Sequence, residues 1–113
     1  MTSSGKRSGI DACTELINQA MRCLENNDKD CVLRKIEELV RNQCHDGRLV
    51  GGEIADRVRD LFHELWMAMN YIEKGELLRR LNVSKSFLAK ALHKPMREIK
   101  WYIKRYGLGV IES

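Results

Sequence analysis

Apolar residues recur every three or four positions along most of this chain, a spacing that only a helix gathers onto one side. Ile10, Cys13, Leu16, Ile17, Ala20, Met21 and Leu24 make one such face, and Val32, Leu33, Ile36, Leu39 and Val40 a second. Ile54, Val58, Leu61, Leu65, Ala68 and Ile72 make a third. No useful run alternates with the two-residue period of a strand, and one Pro and eight Gly leave few turns for a β fold. The expected fold is all-α: an N-terminal helical hairpin, a long third helix, then shorter C-terminal helices. Ser8 or Asp11 can cap the first helix, and Asn26-Asn27-Asp28 ends it. The second starts near Asp30 and stops before Asp46-Gly47, where Gly can turn left-handed; the short linker predicts antiparallel packing. The third runs from about Gly52 to Glu73. Phe62, Trp66 and Met69 widen its stripe beyond what one hairpin covers, so a homodimer through this helix is expected. Residues 1–8 are polar and read as a disordered tail.

Charge divides the chain in two. Residues 1–73, the expected stabilising and dimerising part, carry ten Lys/Arg and thirteen Asp/Glu. Residues 74–113 carry ten Lys/Arg and only three acids, Glu76, Glu98 and Glu112. A basic module on a mildly acidic one is the electrostatic footprint of a polyanion binder.

The basic half contains a turn with three complementary residues. Asn82 tolerates positive φ, Val83 can plug an inter-helix angle, and Ser84 can cap the helix from Lys85 to Leu92. Leu77, Leu78 and Leu81 precede it; Leu88 and Leu92 follow on the inner face. Pro95 opens a third helix with Met96, Ile99, Tyr102 and Ile103 on one side, ending at Gly107-Leu108. Leu81-Asn82-Val83-Ser84-Lys85-Ser86-Phe87-Leu88-Ala89-Lys90-Ala91-Leu92 resembles the helix-turn-helix core of bacterial and archaeal transcription regulators. Asn82 stands where that family usually has Gly, and Phe87 where it has a small residue. Phe87 is expected either to pack on the helix after Pro95 or to meet a thymine methyl. The resemblance implies a small dimeric regulator that binds double-stranded DNA. It implies base contacts from Lys85, Ser86, Ala89 and Lys90. Phosphate contacts are expected from Arg79, Arg80, Ser84, Lys94, Arg97, Lys100, Lys104 and Arg105. His93 reads as a neutral surface residue, and Trp101 and Tyr102 as packing residues. The alternative is an architectural or protein-interaction module that binds nucleic acid without sequence choice.

All four cysteines fall in the first two helices, separated by nine, seven and twelve residues. That spacing makes a poor zinc site. In an antiparallel hairpin, Cys23 and Cys31 flank the turn while Cys13 and Cys44 meet at the open end, so two disulfides are one reading. The segment resembles the twin-cysteine hairpin of coiled-coil-helix-coiled-coil-helix proteins, although that family's second pair sits closer together. Buried free thiols in a reducing cytosol are the other reading.

Nothing marks an enzyme. His45, His63 and His93 stand in no motif, Gly51-Gly52 lacks phosphate-loop spacing, and no cofactor or metal pattern appears. No apolar run could span a membrane, and the N-terminus does not resemble a secretory signal. A cytoplasmic, nucleoid-associated protein is expected. If oxidised, its cysteines point to a thermophilic archaeon or its virus-infected host.

Overall fold

Residues 9–81 and 83–106 are described by a computed structural model. The expectations for the 1–8 tail, a Ser8 cap, the Asn82 conformation and the Gly107-Leu108 ending lie outside those residues. Seven helices follow one another: α1 (Gly9–Glu25), α2 (Lys29–Arg41), α3 (Gly47–Val50), α4 (Gly52–Ala68), α5 (Tyr71–Arg80), α6 (Lys85–Leu92) and α7 (Met96–Tyr106). Among the described residues there is no strand, and no helix is long and apolar enough to cross a membrane.

Three corners use one device. Asn27, Gln43 and His93 each take a left-handed conformation (φ 56°, 59° and 57°) just past the ends of α1, α2 and α6. The next residue then donates its N–H back five positions, Asp28 to Cys23, Cys44 to Leu39 and Lys94 to Ala89, at 3.0, 2.8 and 3.1 Å. This satisfies carbonyls that a helix end otherwise leaves unpaired. Asp28 also caps α2, its side chain accepting from Cys31 N–H at 3.1 Å. The α2 cap is therefore Asp28, two residues before the expected Asp30. Gln43, not Gly47, makes the left-handed turn after α2; Asp46 instead caps α3, accepting from Arg48 N–H at 3.0 Å.

The α1–α2 hairpin is closed by two disulfides, Cys13–Cys44 and Cys23–Cys31, with Cα–Cα separations of 5.6 and 5.7 Å. Among the described residues no cysteine is free. The bonds clamp the open end and the turn of the hairpin.

The expected long third helix is two helices. α4 stops at Ala68, and Asn70 starts α5 through a capping box. The Asn70 side chain accepts from Glu73 N–H at 2.8 Å, and a Glu73 carboxylate oxygen accepts from Asn70 N–H at 2.9 Å. Lys29 reaches this corner from α2, donating to the same Glu73 oxygen at 3.1 Å and to the Ala68 carbonyl at 3.2 Å. A backbone of periodic apolar residues was outcompeted here by a local polar cap. As a result Ile72, expected on the buried stripe, is 75% exposed.

The width of the α4 stripe has an internal explanation. Phe62 and Trp66 stack at 6.1 Å, Phe62 meets Phe87 of α6 edge to face at 5.4 Å, and Trp66 meets Tyr102 of α7 at 5.6 Å. The C-terminal helices cover the face that the hairpin leaves open. One continuous apolar core therefore runs from Cys13 and Ile17 through Ile36, Phe62 and Leu65 to Leu88 and Ile99.

Candidate nucleic-acid interface

Ser84 caps α6 as its sequence position predicts, its hydroxyl accepting from Phe87 N–H at 3.1 Å. Leu88, Ala91 and Leu92 are buried with Leu77, Leu78, Leu81 and Val83. Phe87 is buried too, between Phe62 and His45, with both ring centroids 5.4 Å away. It thus packs on α4 and the α2–α3 connection rather than on α7, and it does not face solvent. His63 ties α4 to α6 through its Nδ1, 3.1 Å from the Ala91 carbonyl oxygen, and its ring meets His93 edge to face at 5.0 Å.

His93, Lys94 and Pro95 then join α6 to α7. A three-residue connection opened by a left-handed residue is the turn that two packed helices need. The Pro95 carbonyl accepts from Glu98 and Ile99 N–H at 3.0 and 3.3 Å, so α7 starts on it. Ile99 is buried and Tyr102 and Ile103 half-buried, which turns Arg97, Lys100, Trp101, Lys104 and Arg105 outward. Trp101 is 55% exposed; its expected packing role reduces to contacts with Tyr102 and Arg105.

The four residues expected to read bases do not share one face. Lys85 is only 8% exposed, and its side chain borders a groove shared with Lys100, Ile103 and Lys104. A side chain so covered is placed less favourably for a base edge than those of Ser86 and Lys90. Ser86 and Lys90 are exposed, on a crevice of about 600 Å³ shared with Asp46, Arg48 and Arg59. Ala89 is half-buried on a neighbouring crevice bordered by Asp56 and Asp60. Three carboxylates, Asp46 at the cap before α3 and Asp56 and Asp60 of α4, thus border the outer side of α6.

The expected phosphate contacts sort differently. Arg80 is committed to Glu37 of α2 by two hydrogen bonds of 2.7 and 3.2 Å, and Lys94 to Glu98 by an ion pair of 3.5 Å. Ser84 spends its oxygen on the cap. Arg79 is exposed on α5. Arg97, Lys100 and Lys104 are exposed on α7, and Arg105 lies over the rings of Tyr71 and Trp101 at 5.1 and 5.7 Å. Among the described residues, α7 thus presents several exposed cations together, Arg97, Lys100 and Lys104. The His93-Lys94-Pro95 connection sets α7 against α6, with His93 in a conformation usually given to Gly.

Two shifted groups lie beside this region. Burial holds the His45 imidazole below its ordinary pKa, against the opposing pull of Asp46. The Arg48 hydrogen bonds hold the Asp46 carboxyl below the usual range. His45 Nδ1 is buried without a hydrogen-bond partner. Among the described residues no group of His, Cys, Asp and Glu could hold a metal ion. Compared with known proteins, the chain matches no family model, no curated sequence and no solved structure.

Proposed function

We propose that the chain binds double-stranded DNA as a small transcription regulator, with α6 and α7 as the helix pair and α7 as the element in the major groove. The outward face of α7 carries this reading: Arg97, Lys100 and Lys104 surround Trp101, while the helix's one acid, Glu98, is half-buried and paired with Lys94. The carboxylates beside α6 would repel a phosphate backbone approaching Ser86 and Lys90; among the described residues no carboxylate lines a crevice on the α7 face. Arg97, in the first turn of α7, has the fork that matches guanine O6 and N7. Exposed Met67, Tyr71 and Ile72 at the α4–α5 corner offer a surface for a homodimer, which would set two α7 helices about 34–36 Å apart on successive major grooves.

A second reading has its own support. The outer face of α7 offers Arg, Lys and Trp but no Asn or Gln, a composition suited to phosphates and shape rather than to a base code. Selection of bound sequences from random duplexes, followed by anisotropy titrations, separates the two. For a sequence reader, Arg97→Ala costs about 1–3 kcal/mol on the selected site and little on random DNA. Equal losses on both favour an architectural role. A larger loss from Lys90→Ala than from Arg97→Ala would refute α7 as the contacting helix, and absence of duplex binding would refute both.

A further inference from the structure

Between α1 and α4 runs a groove of about 220 Å³ with an apolar floor and one charged rim. Ile17, Met21 and Leu24 of α1 and Leu61 of α4 make the floor and near wall. Arg57, Asp60 and Glu64 of α4 make the rim. Met21 is 43% exposed and Leu24 half-buried, so the chain's own helices leave this seam partly open. The seam continues past Glu64. Met67 lies one turn further along α4, is 68% exposed, and leads to Tyr71 and Ile72 at the α4–α5 corner. An apolar strip thus follows the α1–α4 seam into the surface that offers itself to a homodimer.

The charges on the rim point to what covers it. Arg57 and Glu64 are seven residues apart on α4, so they share a face about 10 Å apart along the helix. Two α4 helices laid antiparallel about a two-fold axis between Asp60 and Leu61 bring Arg57 of each copy against Glu64 of the other. Asp60 then lies one turn from the same guanidinium. The same register sets the half-buried Ile54 of one copy against the exposed Met67 of the other. One alignment therefore matches charge with charge and apolar with apolar, which is the self-complementarity that a two-fold contact demands. We infer that a second copy of this chain closes the α1–α4 groove, α4 against α4 in this register. The inference rests on the homodimer of the reading above and specifies its contact, but its test needs no DNA.

Sedimentation equilibrium on the full chain, without DNA, tests the register. Arg57→Glu and Glu64→Arg each place like charges at both symmetry-related contacts and should raise the dimer Kd about tenfold. Mixed in equal amounts, the two variants should recover a dimer of near-parental affinity, because each then meets its opposite charge at both contacts. The double variant Arg57→Glu/Glu64→Arg should recover likewise. Met21→Glu, at an exposed position in the groove, should disperse the dimer and leave the helical circular dichroism unchanged. A monomer at every concentration would overturn the contact, while duplex binding by a single copy would still be read by the anisotropy titrations. A dimer that Ile72→Ser disperses and the rim variants leave intact would also overturn it, placing the contact at the α4–α5 corner alone. Weakening by the single variants without recovery in their mixture would overturn the register. Dimerisation with the expected recovery but no duplex binding would uphold the contact and overturn the DNA reading.

Discussion

The Cys13–Cys44 bond closes a loop of 31 residues and Cys23–Cys31 a loop of 8. Loop-closure entropy grows with the logarithm of length, which gives about 3.7 kcal/mol for the longer loop and about 2.5 kcal/mol for the shorter at 25 °C. Replacing Cys13 and Cys44 together by Ala removes the longer staple and leaves the turn staple intact. For a chain of 113 residues, an unfolding entropy of about 2.1 cal/mol/K per residue turns 3.7 kcal/mol into a fall in Tm of roughly 15 °C. The Cys23→Ala/Cys31→Ala pair should lose less, roughly 10 °C on the same reckoning. Urea unfolding adds an independent readout, because a chain freed of a long loop exposes more surface and its m-value should rise. Thiols are counted first, in denatured protein kept from reductant. Four reactive thiols would refute the bonds themselves. An intact bond whose removal costs under about 1 kcal/mol, or a larger loss from the shorter loop, would refute the entropic reasoning.

Phe87 sits between Phe62 and His45, so Phe87→Ala should cost about 3–5 kcal/mol in chemical denaturation, whereas a surface residue would cost under about 0.5 kcal/mol. Gln43 holds a left-handed conformation with an exposed side chain, so Gln43→Gly should stabilise by about 1 kcal/mol, read as a higher urea midpoint. Glu73 has its pKa lowered by the Asn70 N–H and then by Lys29; stability from a depressed carboxyl is present above its unfolded pKa and is lost as pH falls through the folded one. Glu73→Gln should therefore be less stable than the parent at neutral pH, with the gap closing below pH 4.5. Burial likewise lowers the His45 pKa, so the unfolded chain binds the extra proton first; stability should fall as pH drops below about 6.5, and His45→Gln should flatten that part of the profile in thermal melts.

Most of the helices were legible in the sequence because their apolar periodicity and their burial agree. Ile17, Ala20, Ile36, Leu39, Val58, Leu61 and Leu65 fall where the spacing puts them. The cysteine pairing was legible as one of two readings, since an antiparallel hairpin leaves those four positions only one close arrangement. The break at Asn70 was not, because Ala68 and Ile72 continue the helical period through it. Only the reciprocal bonds of Asn70 and Glu73, held from outside by Lys29, show that a cap prevails. Phe62 and Trp66 left a different ambiguity. A wide stripe states that something covers it, but not whether the cover is a second copy or the chain's own α6 and α7.

The same ambiguity bears on which helix of the basic half is proposed to meet DNA. A turn beginning Asn-Val-Ser and a turn of His-Lys-Pro both satisfy the needs of a helix pair, and only the first uses the residues commonly seen there. The choice between them is made by what lies outside the pair. Once α6 is fixed on α4 by Phe87 against Phe62 and by His63 against the Ala91 carbonyl, its outer side looks onto Asp46, Asp56 and Asp60. Those acids belong to α4 and to the connection before α3, far from α6 in sequence, so no motif in the basic half could register them. Among the described residues no carboxylate borders a crevice beside the outward face of α7, and its own spacing already separates Ile99 from Arg97 and Lys104. Long-range contacts thus set which acids stand beside α6, and on the proposed reading that favours α7 as the helix that meets a polyanion. Removing the acids tests that step directly: Asp56→Asn/Asp60→Asn should raise duplex affinity by relieving repulsion. The rise should survive in Lys90→Ala if α7 makes the contact, and should vanish there if α6 does.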